Sequence, residues 1–145
     1  MKPKLVRLSD IPDLFEREKV GDVYSLRTGK SKPIIVKLPL QLDADVAKVC
    51  GMMPDGFMGK DLSIISFTQK KDTNKPKEFG RILKKRFGIN PRYYYVNGAV
   101  TATISSKTLC RFLYHCLDFY KCDEEARVPK WVFGSDTDIA KEYLR

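Results

Sequence analysis

Arg92, Tyr94, Thr101 and Thr103 are spaced so that a two-stranded ribbon would present all four side chains on one surface. The run Arg92-Tyr93-Tyr94-Tyr95-Val96, then Asn97-Gly98, then Ala99 to Ile104 has the composition of a hairpin closed by a two-residue type I′ turn. Both turn positions of that type need a positive φ, which Asn and Gly tolerate. Side chains alternate along a strand, so Tyr93, Tyr95, Val100, Ala102 and Ile104 fall on one side and Arg92, Tyr94, Thr101, Thr103 and Ser105 on the other. The second set consists of hydrogen-bonding groups that cost little to expose. A twisted ribbon so furnished can lie in a DNA major groove and contact phosphates and base edges. Lys60, Lys70 and Lys71, around an earlier hairpin, would add attraction to phosphates that ignores base sequence. A solvated sheet face shows the same alternation, so on these residues alone both readings stand.

The 145 residues include 27 Lys and Arg against 18 Asp and Glu, a formal net charge of +9. An excess of that size favours a polyanionic partner without saying which one. The length suits one core. No apolar run approaches the roughly 20 residues of a membrane span, and the N-terminus has no apolar signal segment, so the expected location is cytoplasmic. Cys50, Cys110, Cys116 and Cys122 form no Cys-x-x-Cys pair, which removes the usual zinc and thioredoxin signatures. Cys110 and Cys116 read as small core residues on a helical apolar face; the alternative is an unusual metal site with His115.

These residues need a scaffold, and the pattern of the chain supplies one. Residues 1–40 read as an N-terminal extension: a short helix from Asp10 to Glu18, then a hairpin of Val23 to Arg27 and Pro33 to Leu38. Residues 41–145 read as the main domain. Asp43 caps a helix running to about Met53, where Pro54 and Gly56 stop it. Gly59-Lys60-Asp61 turns a short strand, Phe57 and Met58, into a longer one from Leu62 to Thr68. Pro76 opens a helix in which Phe79, Ile82, Leu83 and Phe87 recur at helical spacing, Gly88 ends it, and Lys84, Lys85 and Arg86 take a solvated face. After the tyrosine hairpin, Ser105 or Ser106 caps a helix with the apolar stripe Leu109, Phe112, Leu113, Cys116, Leu117 and Tyr120. A last helix is expected from Asp138 to Arg145. The fold class is therefore α+β: a four-stranded antiparallel sheet with helices on one face and the other face open.

The segment from Val46 to Gly56, a helix ending in Asp-Gly at the head of an αββαββ unit, resembles the signature helix of the LAGLIDADG homing endonucleases. The likeness extends to Phe67 to Asp72, to the Phe79 to Gly88 helix ending in Phe-Gly, to the serine-capped helix and to Val128-Pro129-Lys130-Trp131-Val132, all in the family's order, and covers about Leu40 to Arg145. It implies an αββαββα half of such an enzyme, binding double-stranded DNA. Two signature helices would pack closely across a two-fold axis, with Ala47, Cys50 and Gly51 as the small residues at the contact. Their terminal acids would meet there, so that Asp55 is the implied catalytic residue and ligand of magnesium. Only one such motif is present, which implies a homodimer or a second half supplied elsewhere; Ile139 to Arg145 resembles the lead-in to a second signature helix. Between Gly51 and Asp55 stand Met-Met-Pro, one residue fewer than the family's usual spacing. The competing expectation on the same scaffold is a non-catalytic nucleic-acid-binding module, maturase-like or regulatory.

Overall fold

The computed structural model describes residues 5–53, 56–70, 73–119, 131, 141 and 143. Among them the chain is mixed α+β, with three α-helices and only antiparallel sheets. The N-terminal part contributes β1 (Leu5–Val6), β2 (Glu16–Val20), β3 (Val23–Arg27), β4 (Ile34–Val36) and β5 (Leu40–Gln41). There follow α1 (Ala44–Gly51), β6 (Gly56–Met58), β7 (Ile64–Lys70), α2 (Lys75–Phe87), β8 (Arg92–Val96), β9 (Ala99–Ser105) and α3 (Lys107–Leu117). Strands β6, β7, β9 and β8 form one four-stranded sheet in that order, so the two hairpins join through their long inner strands.

Local chemistry explains where these elements start and stop. The Asp43 carboxylate accepts the Val46 N–H at 3.3 Å and the Ser106 hydroxyl accepts that of Leu109 at 3.0 Å, each satisfying a free donor in a helix's first turn. Gly88 closes α2 at φ 69°, its N–H donating to the Lys84 carbonyl at 2.8 Å. Asn97 and Gly98 both take positive φ, 50° and 77°, as the type I′ turn between β8 and β9 requires. Strand β7 starts two residues later than its composition implies, because Leu62 adopts φ 54° inside the preceding turn.

Buried Ile65, Phe67, Ala102 and Ile104 face the helices, and the Phe67 ring stacks on Phe79 of α2 at 5.5 Å. Phe112 of α3 meets Phe87 edge-on at 5.5 Å and, from its other side, Phe15 of the N-terminal region at 6.2 Å. Leu26, Ile34 and Val36 join the same hydrophobic core. The N-terminal sheet therefore shares its apolar interior with the four-stranded one.

Two sequence expectations are corrected here. Residues 10–18 form no α-helix: a single 3-10 turn, Leu8–Asp10, leads to the strand β2. Ile11 and Phe15 have helical spacing and are both buried, but Pro12 cannot donate a helical hydrogen bond, and the Arg17 guanidinium donates to the carbonyls of Leu8, Ile11 and Pro12 at 3.1–3.3 Å. Pairing along the whole of β3, from Glu16 opposite Arg27 to Val20 opposite Val23, completes the strand. The second correction concerns α2. Lys84 and Lys85 are exposed, whereas Arg86 turns inward and bridges Asp43 at 2.7 Å and Asp45 at 3.1 Å across to the start of α1. Lys48 of α1 likewise pairs with Glu78 of α2 at 2.5 Å.

The expected final helix, the Val128 to Val132 segment and Tyr120 lie outside the described residues, apart from Trp131, Lys141 and Tyr143. Trp131 is buried, its indole N–H donating to the Leu117 carbonyl at 2.8 Å.

Candidate nucleic-acid interface

The register of the four-stranded sheet brings together side chains from both hairpins. Residues paired directly across antiparallel strands point to the same side. One row therefore runs Phe57, Ser66, Thr103, Arg92; the next runs Thr68, Thr101, Tyr94; a third runs Lys70, Ala99, Val96. Ile64 and Ser105 complete the face. All of these lie opposite the buried layer of Ile65, Phe67, Ala102 and Ile104. Arg92, Thr68, Lys70 and Ser105 are exposed, and Tyr94 is 50% exposed. The Thr68 and Thr101 hydroxyls are 2.7 Å apart, linking the inner strands on the open side.

Arg92, Tyr94, Thr101 and Thr103 thus share one face, in the arrangement their alternation predicts. Lys70 ends β7 on that same face, while Lys60 lies in the turn between β6 and β7 at the other end of the strand. The two lysines are separated by the length of β7, roughly 20 Å at strand rise. Lys71 and Asp55 lie outside the described residues. Ser66 and Thr68 belong to the face although their role is not evident from β7 alone. Their signal is the alternation with apolar Ile65 and Phe67, and it becomes a site only once β7 pairs with β9. Phe57 and Val96, 52% and 63% exposed, add apolar surface to the outer strands.

On α1, Ala47 and Cys50 are buried, and Gly51 lies against the backbone of Tyr143. The approach is so close that a Cβ at position 51 would overlap the Tyr143 carbonyl oxygen. Tyr143, more than ninety residues further along, thus rests where this helix carries its smallest side chain.

Cys50 and Cys110 are buried and Cys116 is partly buried against the core, while Cys122 lies outside the described residues. Burial pushes the Cys110 thiol up to about 12, with the nearby Asp61 carboxylate adding to the effect, and Cys116 up to about 12, with Asp10 adding. Burial raises Cys50 further, again with a carboxylate, Asp118, contributing. His115 is exposed, and among the described residues no group of three or more His, Cys, Asp or Glu side chains could hold a metal ion. An unfolded thiol ionises near 8.5, so between about pH 9 and 12 the unfolded chain binds fewer protons than the folded one. The stabilisation these thiols give is complete below that window and is lost as pH rises through it. The urea midpoint is expected to fall between pH 8 and 10.5, and to fall less in a Cys110→Ala/Cys116→Ala variant; equal pH dependence in both proteins would show that the thiols ionise freely in the folded state.

No described helix is long and apolar enough to cross a membrane. No protein-family model matches the chain, and no curated protein matches it.

Proposed function

We propose that this protein is a DNA-binding domain of the LAGLIDADG homing-endonuclease type, one αββαββα half whose open sheet face lies in the major groove of a duplex. The observation that carries the reading is the face itself, where Arg92, Thr103, Ser66, Tyr94, Thr101 and Thr68 meet in two adjacent cross-strand rows. Hydroxyls and a guanidinium so arranged can donate to phosphates and to the acceptor edges of bases, and a net charge of +9 favours approach to a polyanion.

Cutting is the finer part of the proposal. Asp55 follows α1, whose small residues Ala47, Cys50 and Gly51 would suit close helix contact, although Ala47 and Cys50 are buried within the chain and a partner helix would first have to uncover them. Magnesium binds few protein carboxylates and keeps several waters, so Asp55, an acid from a second half and phosphate oxygens would form its surroundings. When bound there, the ion would activate water and stabilise charge on the leaving oxygen. The second half comes from another copy of the chain or from a separate segment. A second copy docking on α1 at Gly51 would have to displace the backbone of Tyr143. The shortened spacing between Gly51 and Asp55 favours the second reading, a nucleic-acid-binding module without cleavage.

Binding to random and selected duplexes, measured against salt, tests the reading. Affinity is expected to fall steeply with salt, and Arg92→Ala is expected to relax one base position at a cost of about 1–3 kcal/mol in discrimination. Salt-independent binding, or full affinity in an Arg92→Ala/Tyr94→Ala protein, would remove the sheet face from consideration.

A further inference from the structure

The loop between β3 and β4, residues 28–33, is held in place by a buried hydroxyl cluster. Thr28 is 2% exposed and Thr108, in the first turn of α3, is 0% exposed. The Thr28 N–H donates to Thr108 Oγ1 at 3.2 Å, and Ser31 Oγ lies 2.6 Å from the same Thr108 oxygen. The Ser31 hydroxyl donates to the Thr28 carbonyl at 2.8 Å, which leaves the Thr108 hydroxyl to donate to Ser31. Thr28 Oγ1 sits 3.4 Å from Thr108 Oγ1 and closes the set. Every hydroxyl thus has a partner, and a satisfied buried network holds one geometry. Thr28 and Thr108 are 80 residues apart in sequence. This contact is therefore a specific docking of the N-terminal hairpin on α3.

Its consequence is positional. Ser105, on the open face of β9, precedes Thr108 by three residues, a span of at most about 10 Å. The turn Gly59 to Leu62, which carries Lys60, lies at the same end of the sheet, because Met58 pairs with Ile65 and Ile65 with Ile104. Arg92, opposite Thr103, also stands toward this end. Lys30 and Lys32 project from the docked loop and Lys107 from the start of α3; all three are exposed, and none forms an ion pair among the described residues. Asp61, in the same turn as Lys60, brings negative charge to this end and accepts a hydrogen bond from Ser63 at 2.8 Å. The loop, on the α3 side of the sheet, and the open-face residues Ser105 and Arg92 thus stand toward one end of the sheet, with Lys60 in the turn there.

We infer that the β3–β4 loop is a second DNA-contacting element, in which Lys30 and Lys32, set beside Ser105 by the Thr28–Ser31–Thr108 cluster, grip the duplex backbone beyond the end of the sheet. The inference rests on the sheet face being the DNA-binding surface. Its contacts are to phosphates, so they add affinity without adding sequence preference.

The test compares three proteins on one duplex across a range of salt: the parent, Lys30→Ala/Lys32→Ala, and Lys84→Ala/Lys85→Ala. The two variants lose the same charge, but Lys84 and Lys85 stand in the last turn of α2, outside the loop that Thr108 anchors. With about 0.9 counterions released per phosphate contact, the loop variant is expected to lose about 1.8 from the slope of log affinity against log salt. At 100 mM salt it is expected to bind about tenfold or more weakly, with its base preferences unchanged. The α2 variant keeps nearly the parent slope. If both variants change equally, or the loop variant matches the parent, the loop makes no backbone contact and the inference falls while the sheet reading survives. A parent that binds no duplex, or a loop variant of parental affinity alongside an Arg92→Ala/Tyr94→Ala protein that also binds fully, would take down the sheet reading and the loop with it.

Discussion

An Asp55→Ala protein is expected to bind duplex DNA as tightly as the parent and, in magnesium, to lose at least about 10³-fold of any cleavage the parent shows. The size follows from the several kcal/mol that a correctly held cation contributes to phosphodiester hydrolysis, at 1.36 kcal/mol per decade of rate. Binding and cutting separate because the proposed grip comes from the sheet and the lysines, whereas Asp55 follows α1. The assay is cleavage of a plasmid library in magnesium, beside binding in calcium. A parent that binds but cuts nothing supports the non-catalytic reading. An Asp55→Ala protein that cuts like the parent would remove Asp55 as the metal-holding acid, whatever the fate of the proposed DNA-binding face.

Gly51→Ala sets two effects of opposite sign against each other. Position 51 is the last residue of α1, and replacing a helical glycine by alanine ordinarily stabilises by about 1 kcal/mol. Here the added methyl would run into the carbonyl oxygen of Tyr143, with two more backbone atoms of that residue close behind. Backbone cannot swing aside as the end of a long side chain does, so the cost is that of overpacking, about 1–3 kcal/mol. The expected net result is a protein destabilised by up to about 2 kcal/mol in urea unfolding, with faster tryptic cleavage after the exposed Lys141 as Tyr143 lifts from α1. A variant that gains about 1 kcal/mol would show that helix propensity acts alone and that Tyr143 does not rest on Gly51 in solution. The same experiment bears on function, because the surface at stake is where the proposed second helix would pack.

Several features were legible in the residues themselves because their causes are local. The Asn97-Gly98 turn fixes the pairing of β8 with β9, and a period of two then assigns Arg92, Tyr94, Thr101 and Thr103 to one face without reference to any other part of the chain. Asp43, Ser106 and Gly88 bound their helices through hydrogen bonds spanning three or four residues. The features that local pattern could not reach depend on partners distant in sequence. Ile11 and Phe15 carry a spacing that a helix or a packed loop satisfies equally, and pairing of β2 with β3 is what selects the strand. Arg86 belongs to a basic run that looks solvated until the start of α1 is placed beside it, with Asp43 and Asp45 as its partners. Ser66 and Thr68 join the donor surface only through the pairing of β7 with β9, and the basic loop reaches that surface only through Thr108. Turn geometry, capping and alternation are short-range and were set by the residues alone; which charges meet, and which hydroxyls share a surface, was decided when distant segments buried a common core.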